Sequence, residues 1–217
     1  MKNLNSKRFA LALFIVFAAS FCWVAYRSGK QISDLWSALV IAYKTIPVVM
    51  LVVGFFVTYG WRWKKFQGWL VPFPDLNGTW QGAIQTTWKN PETGEIPGPI
   101  PVILTIKQNF IRLSCVMRTA EMTSRSCLAD FWLDENEQVR KFGYSYYSEP
   151  LPSVAHRSSP HHGTIIFEIV GHPVEKLKGV YWTARKTTGE VNVTFREKKR
   201  LEEFPSDLGA HPVSAKR

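Results

Sequence analysis

The sequence predicts an N-terminal pair of membrane-spanning helices followed by an all-β domain, an eight-stranded, mostly antiparallel up-and-down barrel. Three observations carry that expectation. First, residues 9–26 form an uncharged apolar run of 18 residues, and a second apolar stretch from Leu35 to about Trp63 is broken only by Lys44 before Arg62 at its end; each is about the length a spanning helix needs. Second, beyond residue 75 short β-branched and aromatic runs recur between turn signals, with no helical period. Third, the formal charge of +10 is divided unevenly. Residues 1–63 hold +6 of it, from seven basic residues and one acid, Asp34.

A strongly basic chain first suggests a nucleic-acid polymer as partner. Here most of the excess marks the ends of apolar segments, which excludes a basic face spread over a soluble domain. Three cysteines, Cys22, Cys115 and Cys127, are too few for a disulfide scaffold. With 46% hydrophobic and 20% charged residues the chain is not disordered as a whole.

Three domains are expected: a hairpin over 1–69, a β-domain over 70–200 and a flexible tail over 201–217. The helices are expected at about 9–26 and 40–63. Lys44 can snorkel to the interface, and Pro47 marks a kink or a first turn. Trp23, Trp36, Trp61, Trp63 and Trp69 fall near the ends, as an aromatic belt requires. A second apolar segment so close behind the first favours a hairpin over a cleaved signal, and Phe21 before Cys22 argues against a lipoprotein site. Ala18, Ala19 and Gly54 are small enough for close helix packing. Lys2, Lys7 and Arg8 at one end, and Arg62, Lys64 and Lys65 at the other, outnumber Arg27 and Lys30 between the helices. That bias places both termini in the cytoplasm.

The strands follow in order. Residues 76–88 open the domain, with Leu76, Gly78, Trp80, Gly82, Ile84, Thr86 and Trp88 on one face. Trp80 reads as a core plug. After a loop rich in proline and glycine (Pro91 to Pro99), residues 100–107 place Val102, Leu104 and Ile106 together. Residues 111–118, 124–133 and 139–147 follow, then a loop over 148–162 with three prolines and three histidines. The last strands are 164–170, 176–186 and 191–198. Cys115 and Cys127 read as core-lining.

No catalytic signature is present: no G-x-S-x-G, H-E-x-x-H, P-loop or C-x-x-C. The chain is therefore not expected to be an enzyme, and no cofactor or metal is expected. His156, His161, His162 and His172 suit a solvated loop better than a zinc site, because no cysteine pair accompanies them. The barrel strands instead mix aromatic, hydroxyl and Arg residues. Gly179, Tyr181, Thr183 and Arg185 share one face, Tyr144 and Tyr146 another, and Asn192, Thr194 and Arg196 a third. Arg112, Arg118 and Arg125 lie on the third and fourth strands. Aromatic rings stack bases and Arg offers forked donors to phosphate. Glycine at 179 suggests a face that something approaches closely.

Two helices, then Asp75-Leu76-Asn77-Gly78-Thr79-Trp80, then the late G-x-Y-W-T-x-R-x-x-x-G run over 179–189 resemble the two-transmembrane, β-strand-rich effectors of bacterial CBASS anti-phage operons, the CD-NTase-associated membrane effectors. The resemblance implies a cytoplasmic barrel that binds a cyclic dinucleotide made by a partner nucleotidyltransferase. It further implies ligand-induced homo-oligomers in the bacterial inner membrane, membrane disruption and abortive-infection death. On that resemblance Tyr181, Thr183 and Arg185 are the expected ligand contacts. Arg112, Arg118, Tyr144 and Tyr146 join them from the strand pattern. The rival expectations are a membrane-anchored, lipocalin-like carrier of an apolar molecule and an enzyme using the loop histidines.

Overall fold

The computed structural model describes residues 5–29, 34–90, 93–134 and 136–214. Lys2, Lys30, Pro91 and the last three residues of the tail lie outside them. The chain forms two compact units, one of residues 2–73 with the tripeptide 109–111, the other of residues 74–108 and 112–217.

The first unit holds two helices long and apolar enough to cross a membrane, α1 (Ser6–Ser28) and α2 (Leu35–Thr58). The Asn5 side chain accepts from the Arg8 amide to start α1, and Gly29, at φ 61°, ends it in the left-handed conformation. α2 begins at Leu35, where the apolar stretch itself begins and about five residues before the expected helix start. The cause is a capping box: Asp34 accepts from the Ser37 amide at 2.7 Å, and the Ser37 hydroxyl accepts from the Asp34 amide. It also stops at Thr58 rather than near residue 63, giving way to short 3-10 turns over Gly60–Arg62 and Lys64–Phe66. Pro47 sits inside α2, which continues through it. Ser20, Ile41 and Thr45 are the buried helix positions, whereas a side chain at Gly54 would meet nothing within 4 Å. Trp23, Trp36, Trp63 and Trp69 are exposed, but Trp61 is fully buried, its ring 5.7 Å from that of Phe73.

The second unit is a closed barrel in which β1 to β8 follow in sequence order, each antiparallel to its neighbours. The strands are β1 (Gly78–Thr86), β2 (Ile100–Gln108), β3 (Leu113–Arg118), β4 (Met122–Asp134), β5 (Val139–Pro150), β6 (His161–Val170), β7 (Lys176–Thr183) and β8 (Thr188–Glu197). The period-two pattern of apolar residues decides the inward face. Val102, Leu104 and Ile106 are fully buried, as are Phe142, Phe167 and Leu177.

The motif at 75–80 has a structural explanation. The Leu76 amide donates to the Gln108 side chain, whose own amide donates to the Pro74 carbonyl. Asn77 exchanges two hydrogen bonds with the Gln108 backbone and donates to Asp75. This network welds the start of β1 to the end of β2. Gly78, at φ 130°, leaves no room for a side chain beside the Glu197 carbonyl and Phe195 ring. Trp80 is 2% exposed and donates its indole N–H to the Leu76 carbonyl, which suits the core plug.

One irregularity redirects a whole strand. In β4, Ser126 pairs with Tyr146 but Leu128 pairs with Ser145, so Cys127 is an extra residue in the ladder. Before the bulge the even-numbered Met122 and Ser124 face inward; after it the odd-numbered Ala129, Phe131 and Leu133 do. Cys127 is consequently exposed, not core-lining, while Cys115 is buried as expected.

The described part of the tail makes specific contacts. The Thr79 hydroxyl accepts from the Leu201 amide and donates to the Lys199 carbonyl, Arg118 donates to the Leu201 carbonyl, and Arg196 pairs with Asp207 at 3.1 Å.

Candidate functional site

The barrel interior is divided. Near the starts of the odd-numbered strands it is filled by Trp80, Ile106, Phe142, Phe167, Ile169 and Leu177, with Phe142 and Phe167 stacked at 5.1 Å. Toward the other end it opens into a cavity of about 140 Å3. There β1, β3, β5 and β7 end, and the even-numbered strands begin.

Five of the seven expected contacts line this cavity: Tyr144, Tyr146, Thr183, Tyr181 and Arg185. Tyr144 and Tyr146 come from consecutive inward positions of β5, their rings 5.9 Å apart, and are 3% and 8% exposed. Gly163, opposite Tyr146 on β6, makes room for that ring: a side chain there would collide with the tyrosine hydroxyl. Burial pushes all three tyrosine phenols above their ordinary value, so they remain neutral donors.

Arg185 lies just past β7, in the tight turn that Thr183 and Thr187 close through their hydroxyls at 2.6 Å. Its guanidinium reaches back to the Ser158 hydroxyl at 3.2 Å and the Ser159 carbonyl at 3.4 Å. It has no carboxylate among these partners. It faces an aromatic cavity with donors still to offer.

Arg112 and Arg118 are not brought to the cavity. Arg112 is exposed and precedes β3. Met117 points inward, so Arg118, one residue on, points outward. Gly179 also has a different reason from the expected one. What approaches it is the Phe167 ring, which would stand 2.7 Å from an added Cβ. The glycine serves packing.

Among the cavity residues the strand pattern missed are four ionisable ones: Glu121, Arg157, His161 and His211. His161 shares parity with the inward Ile165 and Phe167, so extending β6 backward past Gly163 would have found it. The others sit in turns or in the tail, where no periodicity applies. Among the described residues no three of the histidines, cysteines and carboxylates gather as a metal site; His156, His162 and His172 are exposed.

His161 gives the cavity a pH signature. Burial, chiefly, holds its imidazole below the ordinary value; the Ser159 carbonyl opposes this, and Arg185 and His162 add to it. His211 is lowered too, by burial, against the pull of Glu121. A histidine depressed in the folded state stays neutral while its unfolded counterpart takes up a proton. The associated stability is complete above about pH 6.5 and is lost as the pH falls through the folded value. Melting curves between about pH 8 and pH 5 should show a flat midpoint that declines below neutrality, with a shallower decline in His161→Asn. Identical profiles for the two proteins would refute this assignment.

The family described as the Cap15 cyclic dinucleotide receptor domain matches residues 71–195, a span running from just before β1 to within β8. CD-NTase-associated protein 15 of Staphylococcus schleiferi is 26% identical over 154 residues, covering 71% of this chain and 78% of that protein.

Proposed function

The chain belongs to the Cap15 cyclic dinucleotide receptor family, and from that premise we propose that it is a membrane effector of CBASS antiviral defence, with the barrel cavity as its receptor site. The observation that carries the proposal is the convergence of Tyr144, Tyr146 and Tyr181 with Arg185 on one cavity. A cyclic dinucleotide presents two bases and two phosphates. Tyrosine rings supply stacking faces, and Arg185 with Thr183 supplies donors to phosphate. Buried anionic charge demands such partners. A carrier of apolar molecules would have no use for the Arg185 guanidinium at its rim.

The rest of the effector cycle follows from this assignment. A partner CD-NTase supplies the messenger. The two apolar helices anchor the chain in the inner membrane with both termini and the barrel in the cytoplasm, by the basic flanks. Ligand binding favours a homo-oligomer whose assembled helices disrupt the bilayer, and the infected cell dies. Confinement to a membrane raises local concentration, so a modest interface suffices. Leu128 and Trp182 sit on the barrel's outer face in one row across β4 to β7, 76% and 45% exposed, and offer such an interface. The protein acts by binding and assembly and carries out no catalysis.

Titration of the detergent-solubilised full chain with radiolabelled cyclic di-AMP, cyclic di-GMP and cyclic GMP–AMP isomers tests the reading. Saturable binding of at least one is expected. Failure of the whole panel at micromolar concentration would sink it.

A further inference from the structure

The cavity of about 140 Å3 is smaller than the roughly 300–1,000 Å3 of pockets that enclose ligands of drug size. A cyclic dinucleotide, larger still, cannot enter until something leaves. Part of the cavity wall is a cluster of three segments that bring Glu121, Arg157 and His211 together. Glu121, in the β3–β4 turn, pairs with Arg157 of the β5–β6 loop at 2.6 Å, and each side chain is only 12% exposed. The Leu151 amide donates to the Glu121 carbonyl, fastening the start of that loop to the same turn. From the tail, the Ser214 hydroxyl donates to the Glu121 carboxylate and accepts from Arg157, and His211 lies 3.6 Å from the other carboxylate oxygen.

We propose that Arg157 is a second phosphate-binding guanidinium of the receptor site, held in reserve by Glu121, and that tail residues His211 and Ser214 form the latch that keeps it there. The proposal rests on the receptor reading above. Arg185 alone answers one phosphate, and a cyclic dinucleotide carries two. Among the described residues Arg157 is the cavity's other arginine. It is attached to the same loop that Arg185 touches through Ser158. An anionic ligand competes directly with the Glu121 carboxylate for the guanidinium fork. Once Arg157 turns to phosphate, Ser214 loses one of its two partners and the tail is freed. The latch therefore taxes ligand affinity by the fraction of time it is closed.

Two variants and two readouts test this on the full chain in detergent. Truncation after Gly209 removes the latch, and Glu121→Gln weakens its hold on Arg157. Both should bind the responsive panel member about tenfold more tightly than the parent, whereas Arg157→Ala should bind it at least about tenfold more weakly. Amide exchange of residues 211–214 should accelerate in ligand-free Glu121→Gln and, in the parent protein, on adding ligand. Unchanged or weaker binding by both latch variants, unchanged binding by Arg157→Ala, or continued tail protection in the liganded parent would each overturn the proposal. If no panel member binds any form, the receptor reading falls. The latch is then judged on the ligand-free arm, where tail amides no faster in Glu121→Gln than in the parent overturn it.

Discussion

Arg185→Ala removes ligand binding while leaving the barrel folded. Arg185 is the guanidinium at the rim of the aromatic cavity whose described partners, a hydroxyl and a carbonyl, are both neutral. Losing a charged partner of a desolvated phosphate costs about 2–5 kcal/mol, or roughly 30-fold to several thousandfold in affinity. The turn that carries Arg185 is closed by Thr183 and Thr187, so its geometry survives the substitution. Binding of the panel member that saturates the parent should disappear at micromolar concentration. In cells co-expressing the partner nucleotidyltransferase, a potential-sensitive dye should report an intact membrane at unchanged expression. Arg118→Ala is the matched control. Its guanidinium donates to Leu201 outside the cavity, and binding should persist. Retained binding in Arg185→Ala would remove that residue from the site.

Phe142→Ala produces the complementary result. Phe142 is fully buried, stacked on Phe167 and 5.9 Å from the Phe131 ring. Cutting an aromatic side chain out of such a core costs about 3–5 kcal/mol, and the melting midpoint should fall by about 10 °C. Below the new midpoint, the remaining folded protein should still bind ligand, because the cavity lies in the other half of the interior. A midpoint shift under about 2 °C would show that this half is not the stability core.

The eight strands were legible because each carries its own alternation of apolar and polar residues, and turns separate them. The same alternation brought Tyr144, Tyr146, Tyr181 and Thr183 to one interior. It misled where arginines were chosen by strand membership without asking which face they take: Arg118 follows an inward methionine, and Arg112 precedes its strand. The β4 bulge was invisible too, because an extra residue at Cys127 leaves the composition of the strand unchanged while exchanging its faces. Glu121, Arg157 and Ser214 come together only through tertiary folding, separated by 36 and 93 residues along the chain. At the start of α2 the cap agrees with hydropathy: Asp34 and Ser37 set the first turn where the apolar stretch begins.

Closure of the barrel has a consequence for crowding. An open sheet leaves unpaired backbone amides and carbonyls at its margins, a template on which neighbouring chains add strands without regulation. Here β8 pairs with β1 over its length, so the sheet has no free margin there; the shortest seam is between β3 and β4, where residues 116–118 pair with 123–125. Copies of such a domain brought side by side meet no open margin at the seam of β8 and β1. Association there rests on side-chain surfaces, which can be adjusted residue by residue. In the proposed effector role, silence before infection gains from that restriction.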